Sequence, residues 1–163
     1  MVHETIFLRK AKLSDLAEIN KIIAHAIMTW DLPERVKRLS LPSYHYSSND
    51  LDTLELIVAE NSQQEITGVA TWENAEPRDI PTGKSALLLH GIYVDPQYHR
   101  QGIGHELFKA AEQAALEKGL DGLLVKAQSD ATGFFKAQGM EALSVHDETR
   151  DYSHRYWKLI EAR

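Results

Sequence analysis

The run from Leu87 to Gly104, Leu-Leu-Leu-His-Gly-Ile-Tyr-Val-Asp-Pro-Gln-Tyr-His-Arg-Gln-Gly-Ile-Gly, holds most of the chemically capable pattern in this chain. Its first part is apolar enough for a buried strand, and Pro96 stops it. Gly102 and Gly104 follow with one residue between them, where a long helical pattern begins. The first N–H groups of a helix lack intrahelical acceptors and the helix dipole is positive there, so a helix start attracts anions. Glycine lets a phosphate approach the backbone where a Cβ would obstruct it. The same pair would also serve a tight turn that binds nothing. Neither common nucleotide motif is present: no third glycine stands at dinucleotide-fold spacing, and no Lys-Ser/Thr follows as in a P-loop.

Other chemistries are excluded by what is missing. The chain has no cysteine, which removes disulfides, thiolate metal ligands and a cysteine nucleophile and permits a reducing compartment. His45, His146 and His154 have no metal-ligand spacing, so no metal is expected. His25 reads as a polar break in an apolar helix stripe.

The elements that must position the glycine turn are legible from periodicity. Thr5 to Arg9 alternates as a strand. Ser14 reads as an N-cap, with Asp15 in the first turn of a helix whose apolar stripe is Leu16, Ile19, Ile22, Ile23, Ala26, Ile27 and Trp30. Asp31 and Glu34 have capping-box spacing, which predicts a second short helix to about Ser40; Leu41 to Asp52 reads as a loop. Leu54 to Glu60 and Ile66 to Glu73 form a hairpin, and Ala86 to Val94 a central strand. Gly102 to Lys118 is a helix ended by Gly119, Leu123 to Ala127 a buried strand, and Asp130 to Ala137 a short helix stopped by Gly139. Strands near Glu141 to His146 and Ser153 to Ile160 complete the order. The expectation is an α/β sandwich: a mixed, mostly antiparallel sheet of about seven strands with helices on both faces, not a regular βαβ array.

With 163 residues, 43% hydrophobic and 26% charged, the chain suits a single globular domain over residues 1–163. A formal charge of −6 argues against nucleic acid and is compatible with a cationic partner. The first ten residues lack the apolar stretch of a signal peptide, and no segment approaches the roughly 20 apolar residues of a membrane helix. A cytoplasmic protein without a membrane partner is expected.

At these residues the chain resembles the GNAT superfamily of CoA-dependent N-acyltransferases over nearly its full length. The family's Gln/Arg-x-x-Gly-x-Gly/Ala motif corresponds to His99-Arg100-Gln101-Gly102-Ile103-Gly104, with His at the first position. Its Ala-x-x-Phe-Tyr-x-x-x-Gly-Phe motif corresponds to Ala131-Thr-Gly-Phe134-Phe135-Lys-Ala-Gln-Gly139-Met140. The resemblance implies a sheet splayed between the fourth and fifth strands, with acetyl-CoA in the split as co-substrate. It implies that amides from Arg100 to Gly104 hold the pyrophosphate and that the main chain of Ile92, Tyr93 and Val94 pairs with the pantetheine arm. Phe134 and Phe135 would pack against the cofactor. Relatives often dimerise, so a homodimer is among the expectations.

Acetyl transfer to an amine needs a neutral amine, donors for the oxyanion and a departing thiolate. A backbone N–H near Ile92 to Val94 is the expected oxyanion donor. His90, with the parity of Ile92 and Val94, and Glu73, ending a strand after Trp72, are the expected bases. Many relatives carry tyrosine where Phe135 stands, and phenylalanine has no proton for the leaving sulfur. Either water or one of Tyr93, Tyr152 and Tyr156 supplies it, or the thiolate leaves unprotonated. Otherwise the domain is a CoA-binding sensor with little turnover. The acceptor pocket is expected around Trp30 to Tyr46 and Trp72, where Tyr44, His45 and Tyr46 either hold an amine or anchor the loop.

Overall fold

An apolar stripe at helical spacing must be buried, and β-branched alternation must pair, so the first elements dictate one another. The computed structural model describes residues 5–126, 132–143 and 155–160. Its strands are β1 (Phe7–Lys10), β2 (Glu55–Glu60), β3 (Ile66–Asn74), β4 (Ala86–Val94), β5 (Gly122–Lys126), β6 (Glu141–Ala142) and β7 (Arg155–Leu159). The helices are α1 (Leu16–Ile27), α2 (Glu34–Tyr44), α3 (Ser48–Thr53), α4 (Ile103–Glu117) and α5 (Thr132–Ala137). The seven strands form one mixed sheet in the order β1-β2-β3-β4-β5-β7-β6. The β1/β2, β5/β7 and β6/β7 pairs are antiparallel and β4/β5 is parallel. That parallel ladder runs from Ala86 opposite Gly122 to Leu89 opposite Val125, the first half of β4.

The chain gathers into two compact units. One takes the N-terminal part through Thr71 together with Ile92–Leu107, and the other takes Trp72–Gly91 and the part from Phe108 onward. In the first, Ile19, Ile22, Ile23, Ala26 and Ile27 of α1 are buried with Leu56, Val58, Val69 and Tyr93, as the stripe requires. In the second, Ile80, Ala86, Leu124 and Trp157 form a buried cluster with Leu88 against it.

Three local expectations change. Ser14 is not an N-cap: Leu13–Asp15 form a 3-10 turn, and the Asp15 carboxylate accepts from the Lys12 amide at 2.7 Å. The same carboxylate takes Arg9 Nη1 and Nη2 at 2.7 and 3.0 Å, while Arg9 Nε contacts Glu60. Second, α2 runs past Ser40 to Tyr44 with Pro42 inside it. Proline removes one intrahelical bond, but Leu41 and Tyr44 pack on the core of the first unit, and that burial outweighs the loss. Third, part of the expected loop is α3, opened by Ser47, whose amide donates to Asp50 at 2.7 Å. The ends of the two C-terminal strands near His146 and Ser153 lie outside the described residues.

The bidentate Arg9 contact holds the Asp15 carboxyl below its usual range. A depressed carboxyl stabilises the fold above its unfolded value, and that contribution is lost as pH falls through the depressed one. Asp15→Asn should cost about 1 kcal/mol at neutral pH and flatten the acid limb of stability against pH, as urea unfolding at neutral and acidic pH would show.

Candidate functional site

The exit from β4 is built to bring the chain around quickly. The Asp95 amide donates to the Thr67 carbonyl on β3 at 2.9 Å. The Asp95 carboxylate accepts from the Gln97 amide at 3.2 Å, closing a 3-10 turn over Pro96–Tyr98. The His99 ring then turns back, its Nε2 lying 3.1 Å from the Val94 carbonyl. A carbonyl only accepts, so Nε2 carries the proton in this contact. His99 thereby ties the head of the glycine turn to the last carbonyl of β4.

Arg100 at φ +66° and Gly102 at φ +81° are both left-handed. Left-handed residues at alternate positions turn neighbouring N–H groups toward one side, the concavity that anions occupy. Arg100 adopts this at a cost of about 1–2 kcal/mol, Gly102 at almost none. Among the described residues, its chain neighbours aside, a Cβ on Gly102 would meet nothing within 4 Å. Glycine stands there for its backbone angle and the open space before it, which is what an approaching phosphate requires. The Glu106 amide bonds the Gly102 carbonyl at 3.0 Å, so the amides of Gly102, Ile103 and Gly104 precede the helical ladder. Ile103 is buried and anchors this turn.

What seats the turn was not read from the sequence. A Cβ on Gly68 of β3 would lie 2.9 Å from Ile103 Cγ2, 3.1 Å from the Tyr93 carbonyl oxygen and 3.2 Å from Leu107 Cδ1. The first turn of α4 therefore presses onto β3 where a side chain is missing. Along β4, Ile92 and Val94 are partly exposed while Tyr93 is buried in the first unit's core. Burial, then the neighbouring phenols of Tyr46 and Tyr44, push the Tyr93 phenol well above its ordinary value, making it a poorer proton donor. Tyr44 and Tyr46 pack on the same core. Asn20 grips the main chain of Tyr46 at 2.8 and 2.9 Å, and Trp30 meets Tyr44 edge-on at 5.4 Å. These contacts anchor the segment between α2 and α3.

The second unit brings together two residues named separately from the sequence. Glu73 near the end of β3 contacts His90 of β4 directly, Oε2 on Nε2. Phe134 and Phe135 of α5 meet edge-to-face at 5.1 Å, and Phe135 is 4% exposed with its ring 6.4 Å from Phe108. Phe135 is thus a packing residue, and Phe134 is partly exposed. Lys158 holds the end of α5, donating to the Gln138 carbonyl at 2.9 Å and pairing with Glu112 at 2.9 Å. Its partners are remote in sequence, so no local pattern could have shown this clamp. Tyr156 is buried, and Tyr152 lies outside the described residues. Among the described residues there is no cluster of metal-ligating side chains, and no helix is long and apolar enough to cross a membrane.

Comparison with known proteins agrees with this architecture. The model of the acetyltransferase (GNAT) family matches residues 24–140. No curated protein sequence matches the chain. Among solved structures, the PaiA N-acetyltransferase of Thermoplasma acidophilum in complex with coenzyme A is similar with a TM-score of 0.76 at 14% identity, covering 95% of this chain and 99% of that one. A GCN5-related N-acetyltransferase of Rhodopseudomonas palustris gives 0.74 at 22% identity, covering 98% of each chain. A GNAT acetyltransferase of Brucella melitensis in complex with acetyl-CoA gives 0.66 at 16% identity, over 98% of this chain and 91% of that one. At these identities the likeness is one of fold.

Gly68→Ala tests how the turn is seated. Because the Tyr93 carbonyl is backbone and yields little, the added methyl should destabilise the protein by about 1–3 kcal/mol and displace the start of α4. A thermal melt and an acetyl-CoA titration of the variant, both weakened together, would show it.

Proposed function

Because the chain belongs to the GNAT acetyltransferase family, we propose that it transfers an acetyl group from acetyl-CoA to an amine acceptor by direct attack in a ternary complex. The observation that carries this reading is the turn at Arg100–Gly104: left-handed backbone at Arg100 and Gly102, amides ahead of the helical ladder, and open space where a Cβ would stand. In this reading those amides, with His99, Gln101 and Ile103 in the same turn, hold the pyrophosphate. The main chain of Ile92, Tyr93 and Val94 takes the pantetheine arm as an added strand, and one of its N–H groups stabilises the oxyanion. Phe134 offers an apolar contact to the cofactor, and Phe135 supports it from beneath.

His90 and Glu73, in contact with each other, form the pair at which the amine loses its proton. The amine nitrogen then forms a bond to the acetyl carbon, the C–S bond breaks, and its electron pair stays on sulfur. A thiolate is a tolerable leaving group, so this step does not require a protein acid. The net charge of −6 favours an acceptor that is cationic in solution. A cytoplasmic enzyme, single-domain and without a metal, fits the composition.

A second reading has an observation of its own. Phe135 sits buried against Phe108 with no proton to give, which suits a CoA-binding sensor with little turnover. Two measurements separate the readings. Acetyl-CoA and CoA should each raise the melting temperature of the protein, and Gly102→Val should abolish the rise, because a β-branched residue resists φ near +81° and would fill the space before the turn. Thiol release with a panel of amines should then proceed at a robust rate in the wild type. A rate near zero that Phe135→Tyr raises strongly would favour the sensor, and no stabilisation by either ligand at millimolar concentration would remove both readings.

A further inference from the structure

β3 and β4 are apolar strands that carry one carboxylate and one imidazole between them, besides the buried Tyr93 phenol of β4. Ile66–Asn74 reads Ile-Thr-Gly-Val-Ala-Thr-Trp-Glu-Asn, and Ala86–Val94 reads Ala-Leu-Leu-Leu-His-Gly-Ile-Tyr-Val. The carboxylate and the imidazole meet, Glu73 Oε2 against His90 Nε2. Their side chains are 41% and 34% exposed, so water screens the pair, and such a pair adds little to stability. Stability is therefore a weak reason for the contact, and the geometry offers a chemical one.

We infer that Glu73 is a positioning residue that acts through His90, and that His90 Nδ1 is the atom receiving the proton of the acceptor amine. The inference rests on the acetyltransferase reading and divides the roles within it. A carboxylate only accepts, so the neutral ring in this contact must carry its proton on Nε2. That leaves the lone pair on Nδ1. As the amine attacks, its N–H bond breaks toward Nδ1 and the ring becomes an imidazolium beside the Glu73 carboxylate. Partial exposure then lets the ring return the proton to water. Glu73 itself, already engaged with Nε2, takes no proton from the acceptor. Without the carboxylate both tautomers become available, and the one protonated on Nδ1 is no base at that atom.

The test pairs a spectroscopic readout with a kinetic one, on the whole chain. Long-range ¹⁵N–¹H correlation at about pH 8, above the ordinary histidine range, assigns the tautomer of His90, with His90→Gln identifying its signals. The wild type should show the Nε2–H form. Glu73→Gln should populate the Nδ1–H form and lower kcat by roughly 10- to 100-fold with KM for acetyl-CoA unchanged, and Glu73→Asp should restore part of both. A wild type protonated on Nδ1, a tautomer indifferent to Glu73→Gln, or a tautomer change without loss of kcat would overturn the inference. Failure of the acetyltransferase reading looks different: no amine releases thiol from acetyl-CoA with the wild type, whatever the tautomer.

Discussion

A buried central strand that leads directly into a helix creates a shortage of hydrogen-bond acceptors. The amides at the helix start have nothing inside the helix to bond, and they must meet water, a side chain or a ligand. Here the chain leaves β4 at Val94 and enters α4 at Ile103, and its own side chains are used to shape the turn. Asp95 caps the short turn after the strand, His99 returns to the Val94 carbonyl, and the backbone is left-handed at Arg100 and Gly102. At Gly102, among the described residues and its chain neighbours aside, a Cβ would meet nothing within 4 Å. The proposal that the turn binds phosphate rests on that open space and the left-handed backbone.

The turn works only if the helix behind it is held still. Gly68 does this by being absent as a side chain, so that Ile103 and Leu107 of α4 reach the backbone of β3. The apolar face of α1 fills the same unit's core with Tyr93, and the Tyr46 segment is gripped by Asn20. Aromatic residues between α1 and α3 that would stack on a substrate if free are engaged in this packing. Their amphipathic rings serve the loop's attachment to the core.

The second unit is held together on a different principle. Ion pairs among its described residues include Glu73 with His90, Asp79 with Lys126 and Glu112 with Lys158. Asp79 and Arg155 are buried, and the Asp79 carbonyl accepts from Arg155 at 2.8 Å, so that pair belongs to the framework. Glu73 and His90 instead remain accessible to water. Phe135 belongs to the framework as well, since its ring is spent against Phe108.

Local pattern determined the strand order and the helices other than α3, the stripe of α1, the ends of β4 and α4, and the glycine turn between them. Each of these is written in neighbouring residues: apolar spacing, Pro96, Gly102, Gly119. The α3 helix was also legible, in the Ser47–Asp50 spacing, but the polar run around it masked the signal. Tertiary structure alone decided the rest. Proline inside α2 reads as a stop until Leu41 and Tyr44 find a core to cover. Ser14 reads as a cap until Arg9 claims Asp15 for itself. Gly68, Lys158 and the meeting of Glu73 with His90 depend on contacts between residues far apart in the chain. A local pattern records the backbone's preference, whereas close approach and pairing are decided when distant elements compete for the same space.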